Sequence, residues 1–375
     1  MTYSTRLRGG VVHTLQLAEA LTRLGCDVTV IGLGDPEEGF ARPVSASYKI
    51  IPAPPRAATL EERVFAAIDA LADGLPDALG DRYPLVHVQD CISARAAVRL
   101  RDAGAAIEVL RTVHHVDDFT TEALVECQRR SIFDPDHLVV VSRHWRERLA
   151  SEFGVDATVV TNGVDAARFA GSPTVKAREL RARVGAEERM LFLTVGGIEP
   201  RKGSRQLVEA TALVRATLDP PPVVAVVGGH SFQDHTAYRQ QVLERADQLA
   251  LDGELKLVGT VPDEELPSWY HAADAFLFPS VKEGFGLVVL EALAAGLPVV
   301  TTDIPVFREY LTEGEGVLLV RAGDSRALAG GMLRLATDAQ LRSALAAQGP
   351  EIAARFSWET CAQQHVDLYR GLYQR

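Results

Sequence analysis

Short β-branched and apolar runs alternate with stretches of apolar residues at helical spacing along the whole chain, and no other feature narrows the fold as much. Val11, Leu15, Ala18, Leu21 and Leu24 share one helical face, Gly25 stops the helix, and residues 27–31 follow as a β-branched run. Further strand candidates lie at 85–88, 109–113 and 137–141, with an alanine-rich helix near 93–103. A second series places strands at 190–195, 223–227, 255–258, 275–278 and 298–301. Strands that alternate with helices predict parallel sheets joined by crossover helices. Residues 35–60, with five prolines and no clean periodicity, read as a long loop.

Two series of this kind in 375 residues fit two domains of ~150 residues or more. Asn162-Gly163 is a turn signal and Gly171-Ser172-Pro173 follows it, which sets the expected junction at 162–173. Two doubly wound α/β domains facing across a cleft would hold a ligand at the C-terminal ends of their strands. The 50 acidic and 39 basic side chains leave a net charge of -11, which argues against nucleic acid as a partner, because a phosphate backbone is held by surplus Lys and Arg. No apolar run approaches the ~18 residues of a spanning helix. An acidic chain with no basic amphipathic face favours a soluble protein or only transient membrane contact. Cys26, Cys91, Cys127 and Cys361 are scattered, with neither zinc-site nor redox-pair spacing, as suits a reducing cytoplasm.

The chemistry concentrates in residues 279–303. Glu283 and Glu291 bracket seven residues, and Gly284-Phe285-Gly286-Leu287 leads into a helical run with Val288, Leu290, Leu293 and Ala294 as its apolar positions. The glycines admit a ligand close to the backbone, and the first N–H groups of the helix, with the positive end of its dipole, suit a diphosphate. Glu291 is then placed to accept hydrogen bonds from a diol such as ribose, and Glu283 from a sugar hydroxyl. A plain loop-to-helix junction with two solvated glutamates would show the same Gly-x-Gly pattern.

This segment resembles the donor-binding signature of the retaining glycosyltransferases of family 4, group 1 type. The matching residues are Pro279, Ser280, Glu283, Gly284, Phe285, Gly286, Glu291, Ala292, Ala295, Gly296 and Pro298, within an E-x7-E motif, and the likeness continues at 258–261 and at Ser357-Trp358. The resemblance implies the GT-B fold: an acceptor-side Rossmann-like domain at 1–166, a nucleotide-sugar domain at 167–355, and a C-terminal helix at 356–375 returning to the first domain. It implies metal-independent transfer of a hexosyl unit from a nucleotide diphosphate sugar to an acceptor hydroxyl of undetermined identity, without a cofactor. It further assigns Gly9 and Gly10 to the diphosphate-facing loop, His114 to the transferred sugar, and residues 161–165 to the hinge. A nucleotide-sugar epimerase or phosphorylase on the same fold, or a non-catalytic nucleotide-sugar binder, is the alternative.

Residues 196–203 correspond to a G-R-x-x-x-x-K-G pattern that neutralises the diphosphate. Lys202 is present, but Gly197 stands where the pattern has arginine. Arg201 and Arg205 are the candidate replacements; Arg205 is expected to share the direction of Lys202 if a helix starts at Ser204, and Gly197→Arg should then restore a lost Arg205. His114, His115, Asp117 and Asp118 include metal-ligand types, yet consecutive side chains diverge, and no metal is expected. Gly32-Leu33-Gly34 lacks the third glycine of a dinucleotide fingerprint, and Asp90 reads equally as cleft lining or a helix cap. Finally, no apolar run precedes Gly9-Gly10, where a doubly wound domain has its first, central strand; the expectation is that the natural chain begins several codons upstream.

Overall fold

A computed structural model describes residues 1–80, 84–171, 174–229, 233 and 235–373. Ser172 and Pro173 of the expected junction lie outside the described residues. The chain divides into two compact units, Met1–Gly163 with Trp358–Arg375, and Val164–Ser357.

The first unit contains β1 (Thr29–Gly34), β2 (Ser47–Pro52), β3 (Leu85–Val88), β4 (Glu108–Val113), β5 (His137–Val140) and β6 (Thr158–Val159). Helices α1 (Gly9–Arg23), α2 (Leu60–Leu79), α3 (Cys91–Asp102), α4 (Glu122–Phe133) and α5 (Arg143–Phe153) accompany them, and the C-terminal helix Trp358–Tyr373 packs against α1. All strand pairs are parallel, in the orders β1-β2 and β3-β4-β5-β6. Met1 and Thr2 lie between these groups: the terminal ammonium donates to the His87 carbonyl, the Gln89 N–H donates to the Met1 carbonyl at 3.1 Å, and the Thr2 N–H donates to the Ile31 carbonyl at 3.0 Å. The apolar face of α1, Val11, Leu15 and Ala18, packs on Val30, Phe40 and Ala46.

Strand β2 runs through the segment read as a loop. Only Ile51 of its six residues is buried, so the alternation that signals a half-buried strand is absent and only its pairing with β1 defines it. Gly32 and Gly34 are packing glycines of β1, since a Cβ would fall 2.8 Å from the Phe40 ring and 2.5 Å from Thr5 Oγ1.

The second unit contains β7 (Leu191–Val195), β8 (Val223–Val227), β9 (Leu255–Gly259), β10 (Ala275–Phe278), β11 (Val299–Thr302) and β12 (Val317–Val320). Its helices are α6 (Ala166–Phe169), α7 (Val175–Arg183), α8 (Ser204–Arg215), α9 (Thr236–Gln248), α10 (Leu266–Ala272), α11 (Leu287–Ala294), α12 (Pro305–Arg308), α13 (Ser325–Thr337) and α14 (Ala339–Ala354). Strand β8 is buried at every position, as a parallel strand covered on both faces must be, and its Val-rich sequence has no polar alternation for that reason. Phe192, Val224, Leu277, Val300 and Met332 form the centre of the core. The strand order is β12-β11-β10-β7-β8-β9, all parallel, so the winding reverses between β7 and β10. A crevice opens where two adjacent strands send their connections to opposite faces, which makes the ends of β7 and β10 the natural ligand site of this unit.

Candidate functional site

The chain leaves β7 through Gly196 and Gly197 and enters a 3-10 turn, Pro200–Lys202, before α8; it leaves β10 through Pro279 and Ser280 and reaches Glu283 before α11. Backbone contacts knit the two exits together. Gly203, at φ 67°, sits so close to the second exit that a Cβ would fall 2.1 Å from the Pro279 carbonyl oxygen, and the Val281 N–H donates to the Arg201 carbonyl at 2.8 Å. Only glycine meets both demands.

This arrangement gathers charge on one carboxylate. Glu283 Oε1 accepts from Lys202 Nζ at 2.7 Å, Arg201 Nη1 at 3.1 Å and Ser280 Oγ at 2.7 Å. Arg201 also reaches Glu199, Nε to Oε2, at 3.0 Å. Burial alone would raise the Glu283 pKa, but the two cations and Ser280 hold it at about 2, so the carboxylate is ionised across the working pH range. Burial lowers the Lys202 pKa against the pull of Glu283, and its ammonium lies 4.5 Å from the centre of the Phe278 ring. Glu283 is therefore a buried carboxylate with three donors on Oε1, unlike the solvated glutamate of a plain loop.

Gly286, at φ 92°, is the N-cap of α11, and a Cβ there would fall 2.5 Å from the Phe307 ring. Phe285 stacks on Tyr310 at 5.1 Å between centroids, and the Tyr310 hydroxyl donates to the Phe285 carbonyl at 2.7 Å, which fixes the turn that presents the α11 N-terminus. One and a half turns along, Glu291 Oε2 accepts from the Tyr270 hydroxyl at 2.7 Å. Burial raises the Glu291 carboxyl to about 6, with the Tyr270 hydrogen bond and the Arg168 charge opposing. Tyr270 carried no signal in the sequence, being one aromatic residue on a short helix.

Arg205 and Lys202 are not brought together. The Arg205 side chain is 64% exposed and pairs along α8 with Glu209 at 3.2 Å, an ordinary i,i+4 pair on the outer face. Arg201 stands beside Lys202 instead, because the 3-10 turn, and not the helix, points both side chains at Glu283. Gly197 leaves no room for a restored arginine: a Cβ would fall 2.5 Å from the Gly229 carbonyl oxygen and 3.2 Å from Glu199 Oε1.

In the first unit, Gly9 and Gly10 form the first turn of α1 with open space at both Cβ positions, and Arg8, the N-cap, makes no capping bond but donates to the Tyr3 hydroxyl at 2.9 Å. His114 follows β4 directly; its Nε2 lies 3.1 Å from Gln89 Oε1, and its ring meets the edge of His13 from α1 at 4.6 Å. Burial lowers the His114 pKa to about 3, with His115 and Arg111 adding to the shift, so the imidazole is neutral at physiological pH. His115 pairs with Asp117 at 3.2 Å, and among the described residues no group of three or more His, Cys, Asp or Glu is arranged to hold a metal ion. Asp90 is the N-cap of α3, accepting from the Ser93 N–H at 2.8 Å and the Tyr3 N–H at 3.0 Å. Among the described residues, no helix is long and apolar enough to cross a membrane.

The chain matches the family model Glycosyl transferases group 1 over residues 176–352 and the model Glycosyltransferase Family 4 over residues 7–168. It is 33% identical over 312 residues to D-inositol 3-phosphate glycosyltransferase of Corynebacterium urealyticum, covering 78% of this chain and 72% of that protein. It is 29% identical to phosphatidyl-myo-inositol mannosyltransferase of Mycolicibacterium smegmatis, covering 98% of this chain and 91% of that protein. In fold it is similar to Anabaena Alr3699/HepE in complex with UDP-glucose, with a TM-score of 0.81 at 18% identity and 98% coverage of both chains.

Proposed function

Because this chain belongs to the glycosyltransferases of family 4, has their GT-B fold and uses a nucleotide-sugar donor, we propose that it moves a hexosyl unit to a polyol hydroxyl with retention of anomeric configuration and without a metal. The observation that carries this reading is the cluster of Lys202 and Arg201 on the buried Glu283 at the β7/β10 switch point, beside the N-terminus of α11. With the donor bound, Lys202, Arg201 and the N–H groups of Phe285, Gly286 and Leu287 face the diphosphate and stabilise the charge that develops as the glycosidic bond breaks. Glu283 accepts from a sugar hydroxyl and Glu291 from the ribose. Gly9 and Gly10 add N–H groups on the acceptor side, in the unit that also carries His114.

His114 does not serve as a base in this scheme. An imidazole with a pKa of about 3 is too weak a base to take the acceptor's proton at neutral pH, and it suits a hydrogen bond to the transferred sugar. The proton goes to the leaving phosphate oxygen, so acceptor attack and departure share one face and configuration is retained. The names of the two relatives, with inositol 3-phosphate and phosphatidyl-myo-inositol in them, support a cyclitol hydroxyl as the acceptor class.

The test is release of nucleoside diphosphate from UDP- and GDP-hexoses, with and without inositol-type acceptors, in EDTA and in magnesium. The expected result is acceptor-dependent release unaffected by EDTA, with an axial or equatorial product linkage matching the donor by NMR. Release abolished by EDTA and restored by metal overturns the metal-free reading; an inverted linkage overturns retention.

A further inference from the structure

Glu291 does not stand alone on its helix face. Its Oε2 accepts a 2.7 Å hydrogen bond from Tyr270, a residue 21 positions earlier on α10 whose side chain is fully buried. The Tyr270 ring is held edge-on by Phe169 of α6 at 5.3 Å and lies 5.6 Å from the Phe276 ring of β10. His271, next to it, is tied to the Phe169 carbonyl at 2.8 Å. A phenol confined in this way has no freedom to follow the carboxylate; the carboxylate must come to the phenol. The other charged groups around Glu291 are Arg168 of α6 and Asp263, which pair with each other at 2.9 Å.

We infer that Tyr270 is the positioning residue of the donor site: its hydroxyl occupies one carboxylate oxygen of Glu291, so that the other is held out as the acceptor for a vicinal diol of the nucleotide ribose. The inference rests on the reading of Glu291 as the ribose contact. A carboxylate has two oxygens and can chelate a diol in several orientations; pinning one of them leaves a single orientation, and less rotamer freedom is lost on binding. The same hydrogen bond favours the ionised form of Glu291, whose carboxyl burial would otherwise hold protonated to higher pH. Loss of the phenol hydroxyl therefore both loosens the carboxylate and raises its pKa.

Binding of UDP and GDP, and of their 2′,3′-dideoxy forms, is measured by calorimetry from pH 5 to 8 for the wild type, Tyr270→Phe, Glu291→Gln and Glu291→Asp, using the nucleotide that the wild type binds more tightly. The expected wild-type result is a preference for the ribo over the dideoxy form and an acid limb of affinity centred near pH 6. Tyr270→Phe is expected to cut the ribo preference by roughly tenfold and to move the acid limb to higher pH, while dideoxy affinity stays the same. Glu291→Gln should abolish both the preference and the limb. Glu291→Asp, which withdraws the carboxylate by one methylene, should reproduce the Tyr270→Phe result and covers the case in which Tyr270→Phe does not fold. If the wild type shows no ribo preference, the ribose reading of Glu291 fails. If the wild type shows it and folded Tyr270→Phe keeps the preference and the acid limb unchanged, or, where Tyr270→Phe does not fold, Glu291→Asp keeps both, the positioning role of Tyr270 fails.

Discussion

Lys202 and Arg201 reach the same carboxylate oxygen, and neither is on the exposed face of a helix where charge has little effect. Arg205 is on such a face. Substitution should separate them: Lys202→Ala and Arg201→Ala are each expected to lower kcat by at least ~10²-fold, while Arg205→Ala leaves steady-state kinetics near wild type. Wild-type kinetics in Arg201→Ala, or a large loss in Arg205→Ala, would return the second cation to α8. Gly197→Arg is expected to rescue neither and to lower the melting temperature, since a Cβ at that position meets the Gly229 carbonyl. Both carboxylates of the E-x7-E pair were legible as functional candidates because the glycines and helix start between them are local features. Which cation accompanied Lys202 was not legible, because helical spacing is the wrong geometry for a 3-10 turn.

At the scale of elements, the junction between the turn Pro200–Lys202 and α8 matters more than the helix itself. Gly203 and Gly154 have almost the same positive φ, 67° and 68°, yet Gly154 ends α5 in open space whereas Gly203 is pressed on the Pro279 carbonyl. Gly154→Ala should cost about 1 kcal/mol of stability, the ordinary penalty of left-handed backbone. Gly203→Ala should cost more than that and also depress kcat/KM, because the two loops can accommodate a Cβ only by parting Lys202 from Glu283. Urea denaturation with parallel kinetics checks both; equal stability losses and an active Gly203→Ala would show that the contact is not needed. Strands β3, β8 and β10 occupy the residues predicted for them, since buried parallel strands announce themselves as short apolar runs. Strand β2 does not, because an exposed edge strand has no such run.

For the whole molecule, the main pH dependence of stability should come from four histidines of the first unit, His13 and His365 buried and His87 and His114 half-buried. Burial lowers His13 and His87 well below 6.5, His114 to about 3 and His365 to about 4. Below pH 6.5 the unfolded chain takes up protons at these positions and the folded chain does not, so stability falls as pH falls from about 6.5 toward 4, by up to about 1.4 kcal/mol per pH unit for each histidine. Glu291, raised to about 6, and Asp90, also raised by burial, act in the opposite sense, since their folded carboxyls bind a proton before the unfolded ones; two groups do not offset four. Melting temperatures at pH 7.5, 6 and 5 are expected to fall in that order, and a flat profile would show that the histidines are solvated or paired in solution.

Taken alone, the sequence determined the α/β rhythm, the parallel connections, the loop-to-helix junction at Gly286 and the two glutamates that flank it. These are matters of residue type and short-range spacing, and local backbone preference decides them. Tertiary structure decided the partners. The strand order β12-β11-β10-β7-β8-β9 is what makes β7 and β10 neighbours and so carries Arg201 and Lys202 to a glutamate about 80 residues away. The packing of α10 against β10 and α6 sets a tyrosine hydroxyl on Glu291. Neither pairing leaves a trace in spacing along the chain, because each depends on which elements the sheet brings side by side.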